Sequence, residues 1–146
     1  MPALSGKFNC QDGVIWKVGF VSINQEVPNT PDRLHICDAL VDTGADSSCI
    51  SIEVARQLQL QPSGKTDMYS ASEIAEVNVY DVHPALVLPA MPDSEGNMQS
   101  EIFLFNLVTA PEFNSHGGKY TALIGRDVLC QGVFSMSFDG HFTFAF

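Results

Sequence analysis

The stretch Ala39-Leu40-Val41-Asp42-Thr43-Gly44-Ala45-Asp46-Ser47-Ser48-Cys49-Ile50 decides how this chain is organised. It begins as an apolar run, reaches a carboxylate at Asp42, and passes through small residues before it becomes apolar again. We therefore predict a strand that carries Asp42 at its C-terminal end. Gly44 lets the backbone approach closely and adopt φ/ψ angles that other residues reach only at a cost. A carboxylate held in this way against main-chain N–H groups is either structural or catalytic.

Length and composition indicate a single globular domain, 1–146, that is large enough for its own hydrophobic core. The formal net charge is −10, and the 7 Lys and Arg residues are scattered. Nucleic acid is therefore not an expected partner, because a phosphate backbone is bound by clustered cations. No apolar run approaches the roughly 20 residues of a membrane span, so we expect no membrane partner. The N-terminus lacks the pattern of a secretory signal, which favours a cytoplasmic protein.

The rest of the chain alternates short apolar runs with turn signals, which predicts an all-β domain, a sandwich or a partly closed barrel. About ten short strands and two short helices are expected from these patterns. Alternating Phe residues around Asp139-Gly140 predict a C-terminal hairpin. The other predicted elements are strands at 14–23, 34–41 and 101–109, a helix at 52–60 capped by Ser51, a helix at 126–131, a hairpin at 68–82, and loops at 90–100 and 110–119.

The sequence gives little support for a metal site or for a serine or cysteine nucleophile. The four histidines show no ligand-like spacing, so no metal site is expected. Ser47, Ser48 and Cys49 follow Asp42 closely, but no G-x-S-x-G elbow frames them, which disfavours a Ser or Cys nucleophile. The four cysteines show no C-x-x-C spacing and are expected to be reduced and buried.

Asp42 on its own is more often a turn-forming residue than a catalyst. The residues that follow it favour a catalytic role for Asp42, because each of them has a possible function in a catalytic site. The Thr43 hydroxyl can donate and accept a hydrogen bond, and the Gly44 N–H can point at the carboxylate.

At this point the sequence resembles the retropepsin-like aspartic proteases, the single-domain relatives of pepsin. Leu40-Val41-Asp42-Thr43-Gly44-Ala45-Asp46-Ser47 is similar to the active-site loop of that family. Ala122-Leu123-Ile124-Gly125-Arg126-Asp127-Val128-Leu129 is similar to the family's apolar-apolar-Gly element and the short helix after it. The resemblance covers roughly 14–146 and implies a closed β-barrel or sandwich with one or two short helices and a flap hairpin.

The resemblance implies an aspartic endopeptidase that needs neither a metal nor an organic cofactor. In that mechanism two aspartates share one proton and activate a water for attack on a peptide bond. The chain contains a single Asp-Thr-Gly, so the second carboxylate would be Asp42 of an identical subunit. The expected active form is therefore a homodimer with its site on the two-fold axis, acting on a peptide or protein substrate.

The resemblance also assigns roles around Asp42. Thr43 would brace the two active-site loops across the dimer, and Gly44 would give substrate access to the backbone, with Ala45 as the next residue of the loop. Asp46 is expected to form an ion pair with Arg126, the residue after Gly125, and this pair would support the loop. The alternative is that Arg126 is an ordinary helix residue whose side chain lies in solvent.

The hairpin at 68–82 would be the flap that closes over substrate, with Tyr69, Ser70, Ala71 and Ser72 near its tip. The flaps of the viral enzymes of this family are rich in glycine, whereas the tip of this hairpin contains none. The Phe-rich C-terminus would either interleave with a second subunit, as in the family, or form an intramolecular hairpin, which its Asp139-Gly140 turn favours. A non-catalytic peptide-binding or assembly module with the same fold is the alternative to an enzyme.

Overall fold

The computed structural model describes residues 2–146, and their strands confirm the predicted all-β class. Within these residues no helix has the length and apolar character needed to cross a membrane. A 3₁₀ turn spans Pro31–Arg33. The strands are β1 (Ala3–Lys7), β2 (Ile15–Ser22), β3 (Ile36–Val41), β4 (Cys49–Ser51), β5 (Gly64–Tyr69), β6 (Ile74–Val87), β7 (Met91–Pro92), β8 (Met98–Gln99), β9 (Ile102–Leu104), β10 (Val108–Phe113), β11 (Ala122–Ile124), β12 (Val133–Met136) and β13 (His141–Ala145), and the helices are α1 (Ile52–Gln57) and α2 (Arg126–Leu129).

The largest sheet closes into a barrel. Its strands follow the order β10-β4-β11-β3-β2-β6, and β6 also pairs with β10, which completes the circuit. The long β6 makes this possible, because it pairs with β5 near its start, with β10 through Val82↔Val108, and with β2 through Phe20↔Pro84. The closed barrel expected from the family resemblance is therefore present. Its core includes the fully buried side chains of Trp16, Val18, Ile50, Val82, Ile124 and Phe144.

The two ends of the chain meet in a second, three-stranded antiparallel sheet of order β1-β13-β12, called the terminal sheet below. Phe144 of the central strand β13 pairs with Leu4 on one side and Phe134 on the other. Its ring lies 5.0 Å from Trp16, so this sheet packs on the barrel core. Gly140 adopts φ 82° in the turn between β12 and β13. The intramolecular hairpin predicted for the Phe-rich C-terminus is confirmed.

The site region depends on an unusual strand order. β3 and β4 are joined by the loop at 42–48, yet they do not pair; β11 lies between them, parallel to β3 and antiparallel to β4. Helix α1 follows β4 directly, and its cap is as predicted, because the Ser51 hydroxyl accepts a hydrogen bond from the Val54 N–H at 3.1 Å.

Two strand predictions are wrong. The strand expected at 101–109 is divided into β9 and β10. The Phe105 N–H still donates to the Pro84 carbonyl oxygen of β6 at 2.9 Å, but the Asn106 N–H donates to the Gln131 side chain at 2.8 Å instead of to a strand. The loop expected at 110–119 begins late, since β10 runs on to Phe113. Glu112 and Phe113 pair with Ile50 and Ser51 of β4, a long-range contact that local turn signals do not contain.

The cysteine prediction is half correct. All four thiols are free. Cys37 and Cys49 are buried as predicted, but Cys10 and Cys130 are exposed.

Candidate active site

Asp42 lies at the C-terminal end of β3, where two neighbouring strands hold its backbone. Val41 pairs with Ile124 of β11, and the Asp42 N–H donates to the Ile124 carbonyl oxygen at 2.9 Å. On the other side the Val41 N–H donates to the Val14 carbonyl oxygen, also at 2.9 Å. The side chain of Asp42 is half-buried. The carboxylate is therefore carried by a rigid barrel strand and still reaches solvent.

The turn after Asp42 folds back on its carboxylate. The Gly44 N–H donates to Asp42 Oδ1 at 2.9 Å, and the Ala45 N–H donates to the Asp42 carbonyl oxygen at 3.2 Å. A Cβ on Gly44 would lie 3.2 Å from the same Oδ1 atom, a tight contact that glycine avoids. This is the N–H contact that the sequence predicts. Thr43, Gly44 and Asp46 are exposed and Ala45 is half-buried.

Gly125 is the point at which the second predicted element meets the loop. A Cβ there would lie 2.6 Å from the Ser47 carbonyl carbon and 3.0 Å from the Ser48 nitrogen. The Gly125 N–H donates to the Ser48 Oγ at 3.0 Å. Only glycine permits this approach of two backbone segments. The structure therefore brings Gly125 and the loop at 42–48 together.

Arg126 contacts the loop differently from the expectation. Its backbone N–H donates to the Ala45 carbonyl oxygen at 3.0 Å. Its guanidinium donates to the carbonyl oxygens of Thr43 at 3.4 Å and Gly44 at 3.5 Å. The expected ion pair between Asp46 and Arg126 is wrong, since it is not among the ion pairs formed within residues 2–146. Both side chains are exposed, and the guanidinium turns to the loop carbonyls instead.

A carboxylate does hold the loop, but it belongs to Asp127, which binds Ser48, and not to Asp46. The Ser48 hydroxyl donates to Asp127 Oδ1 at 2.6 Å, and the Ser48 N–H lies 3.0 and 2.9 Å from the two carboxylate oxygens. The Val128 N–H also donates to Asp127 Oδ1, at 2.9 Å. Sequence reasoning missed this pair, although Asp127 directly follows the Gly-Arg signal and Ser48 is the fully buried hydroxyl that ends the loop.

The carboxylates around the loop affect Cys49. Burial raises the pKa of its thiol to about 12, and the negative charges of Asp127, Asp46 and Asp42 act in the same direction. A thiol with such a pKa stays protonated near neutral pH and is a poor nucleophile. This agrees with the expectation that cysteine does not perform the chemistry.

The predicted hairpin is present and longer than expected, from Gly64 in β5 to Val87 in β6. Its tip is closed by hydrogen bonds between Ser70 and Glu73: the Ser70 N–H donates to the Glu73 carbonyl oxygen at 3.0 Å, and the Glu73 N–H donates to the Ser70 Oγ at 3.2 Å. Ala71 and Ser72 at the tip are exposed, and Tyr69 is 74% exposed. Within residues 2–146 no hydrogen bond joins this tip to the loop at 42–46.

The base of the hairpin is anchored to the barrel. The hydroxyl of the buried Tyr80 donates to Glu112 Oε2 at 2.7 Å, and the Asn78 N–H donates to Glu112 Oε1 at 3.4 Å. Burial, followed by the contact with Glu112, raises the pKa of Tyr80 to about 12. The hairpin therefore has an exposed tip on a firmly held base.

Neither of two surface cavities includes Asp42 or its loop. One, of about 480 Å³, is lined by Phe20, Arg33, Leu34, Leu58 and neighbouring residues. The other, of about 600 Å³, lies between residues 29–32 and 99–100. Within residues 2–146 no group of three or more His, Cys, Asp or Glu side chains is placed to hold a metal ion.

Comparison with known proteins gives a fold-level resemblance. No protein-family model matches the sequence, and no curated protein matches it. The crystal structure of a retropepsin-like aspartic protease from Rickettsia conorii is similar to this chain, with a TM-score of 0.53 and 11% sequence identity. The similarity covers 98% of this chain and 89% of that one. The chain therefore has an all-β, retropepsin-like fold.

Proposed function

We propose that this protein is an aspartic endopeptidase whose catalytic pair consists of Asp42 from each of two identical chains. The observation that carries the proposal is the position of Asp42: it ends a barrel strand, remains accessible, and accepts the Gly44 N–H at 2.9 Å. The retropepsin-like fold supports the same reading. Because this chain supplies one Asp-Thr-Gly, the second carboxylate comes from a second copy.

The chemistry follows from placing two such carboxylates together. Like charges at close range cannot both ionise cheaply, so the pair holds one proton between them and titrates as a unit. The ionised member accepts a proton from a water, and the protonated member donates to the carbonyl oxygen of the scissile peptide bond. The Gly44 N–H hydrogen bond orients the Asp42 carboxylate. No step requires a metal or an organic cofactor.

The open setting of Asp42 agrees with this proposal. The two cavities described above exclude the loop, so one chain offers an accessible carboxylate on a rigid support without an enclosed substrate pocket. A second copy would supply the opposite wall of a cleft. The exposed hairpin tip at 69–73 would then cover the bound peptide and exclude water.

The alternative is a module that binds peptides without cleaving them. The tip at 70–73 contains no glycine and is tied by Ser70–Glu73 hydrogen bonds, which favours a stiffer hairpin than a mobile flap needs. Such a protein would bind extended peptides in the same cleft and leave them intact.

One assay separates the two functions. Wild type and Asp42→Asn are incubated with a mixed peptide library from about pH 3 to pH 7, and products are read by mass spectrometry. Asp32→Asn is the matched control, because Asp32 is an exposed carboxylate in the 3₁₀ turn. We expect cleavage by wild type and control but not by Asp42→Asn. Identical products from all three would refute the enzyme, and retention of uncut peptides would support the binding module.

A further inference from the structure

One of the two surface cavities lies at the end of the β2–β3 ladder that is opposite Asp42. The pairing of these strands runs from Ile15↔Leu40, near Asp42, to Gly19↔Ile36, near the cavity. The walls come from the connection between the two strands and from the C-terminal end of α1, and the volume is about 480 Å³. Small-molecule sites have volumes of roughly 300–1,000 Å³. This cavity, called the distal cavity below, is therefore of ligand size and separate from the candidate active site.

The floor of the distal cavity is apolar and rigid. Phe20, Val21 and Leu34 are buried, and Leu58 is half-buried. A Cβ on Gly19 would lie 2.5 Å from Leu34 Cγ, so the Leu34 side chain fits directly against the backbone of β2. An apolar group of a ligand would thus meet a preformed surface, and binding would not have to order the chain first.

The rim of the distal cavity carries charges of both signs that do not neutralise each other. Arg33 and Glu26 both line the cavity, and both are exposed. Neither takes part in the ion pairs formed within residues 2–146. His35 also lines the rim and can add a second positive charge when it is protonated. Opposite charges above an apolar floor are complementary to a ligand that has an apolar body and carries both charges.

Gln59 brings an amide to the rim in a backbone conformation that glycine normally occupies. Its φ is 52°, at the residue after the C-terminal cap of α1. The Gln59 N–H donates to the Arg56 carbonyl oxygen at 3.0 Å. The Leu60 N–H donates to the Ala55 carbonyl oxygen, also at 3.0 Å, which completes a helix end that favours glycine at position 59. Strained residues of this kind are concentrated at ligand sites, and a ligand contact of the Gln59 amide accounts for this one.

We propose that the distal cavity binds a short apolar peptide with both ends free, a dipeptide or tripeptide. Its carboxylate binds the Arg33 guanidinium, and its ammonium group binds the Glu26 carboxylate. Its apolar side chain lies on the floor formed by Phe20 and Leu34, and the Gln59 amide binds a peptide group between the two ends. The proposal does not depend on the proposed function, because none of these residues belongs to the Asp42 loop.

Other classes of ligand fit the distal cavity less well. A phosphate ester or a dicarboxylate gains from Arg33, but Glu26 and the net charge of −10 repel it. An uncharged apolar molecule leaves both rim charges without a partner. A metal ion needs several carboxylate, His or Cys ligands, and the described part of the chain, 2–146, has no group of three such side chains placed to hold one.

Blocked forms of one probe test the two charges separately. Leucyl-leucine, its N-acetyl form and its C-terminal amide are titrated into the protein by calorimetry at low salt. We expect the unblocked dipeptide to bind and each blocked form to bind about tenfold more weakly, because each loses one charge-assisted hydrogen bond. Equal affinities for the three forms would overturn the proposal. Free leucine that binds as tightly as the dipeptide would overturn the assignment to a peptide.

Matched variants show whether the two rim charges are responsible. Arg33→Met and Glu26→Gln should each weaken the binding of leucyl-leucine about tenfold. Arg56→Met and Glu95→Gln are the controls, because both residues are exposed and lie outside the cavity lining, and they should bind as wild type does. Arg33→Met should also bind the dipeptide and its amide equally, since the partner of the carboxylate is gone. Equal binding by Arg33→Met and Arg56→Met would contradict the site.

Gln59→Gly separates ligand binding from folding. Glycine relieves the backbone strain at this position, so the urea midpoint of unfolding should be at or above that of wild type, whereas affinity for leucyl-leucine should fall about threefold. Unchanged affinity would remove Gln59 from the site. Nuclear magnetic resonance of the wild-type protein locates the bound probe: we expect shifted amide signals at 25–26, 33–35 and 57–59. Shifts confined to 42–46 would place the dipeptide at the candidate active site and refute the distal site.

Discussion

Ser48 is held by Asp127 through its backbone and its side chain together: the Ser48 Oγ donates at 2.6 Å and the Ser48 N–H lies 3.0 and 2.9 Å from the two carboxylate oxygens. The same Oγ accepts the Gly125 N–H at 3.0 Å. Because Ser48 is fully buried, these groups have no access to water. The end of the Asp42 loop is therefore fastened to the start of α2 by a satisfied polar cluster.

Replacing Asp127 with alanine should weaken the fold. The buried N–H and hydroxyl of Ser48 lose their acceptor, which costs about 1–3 kcal/mol. We expect the free energy of unfolding, measured by urea denaturation, to fall by this amount, and the proposed cleavage activity to fall with it. Asp32→Ala is the control at an exposed carboxylate and should leave both unchanged. Equal stabilities for the two variants would show that the cluster does not support the loop.

Gly125→Ala should be destabilising for a steric reason. The added methyl would lie 2.6 Å from the Ser47 carbonyl carbon, and backbone on both sides prevents relief. We expect a loss of about 1–3 kcal/mol in the free energy of unfolding. Gly64→Ala is the matched control, because its Cβ would be an ordinary 3.7 Å from Val79 Cγ2. If the two variants unfold at the same urea concentration, the close approach is not as described.

Alkaline pH should destabilise the protein through Cys49. Burial raises the pKa of this thiol from 9.0 to about 12, so the folded state favours the neutral form. The resulting stability is complete below pH 9 and is lost as pH rises from 9 toward 12. Urea unfolding from pH 8 to pH 11 should therefore show a falling free energy of unfolding, with a smaller slope in Cys49→Ala. Cys10→Ala, at an exposed thiol, should keep the wild-type slope; a slope unchanged by Cys49→Ala would contradict the assignment.

A shared active site predicts inhibition by inactive subunits. Adding a ninefold excess of Asp42→Asn to wild type, with time for exchange, should lower the wild-type cleavage rate about tenfold by mass action. The reason is that most wild-type chains then pair with a chain that lacks the second carboxylate. A wild-type rate unaffected by Asp42→Asn would show that one chain is sufficient for cleavage.

Much of the barrel could be predicted from local pattern. The strands leading into Asp42, the Ser51 cap, the hairpin at 68–82 and the Asp139-Gly140 turn all follow from periodicity and from residues with narrow conformational preferences. The division of 101–109 and the extension of β10 could not be predicted in this way. They depend on the hydrogen bond from the Asn106 N–H to the Gln131 side chain and on the pairing of Glu112 with Ile50, and in each case the two residues are far apart in the chain.

The sequence by itself determined the all-β class, the carboxylate at the end of a strand, and the need for a second copy if that carboxylate is half of a pair. Only the tertiary structure decided which side chain holds the active-site loop. Asp46 and Asp127 are equally plausible partners in a sequence, because spacing does not say which carboxylate faces a buried N–H. Folding places Asp127 against the buried Ser48 and leaves Asp46 in water, and the cost of an unpaired buried polar group makes that choice.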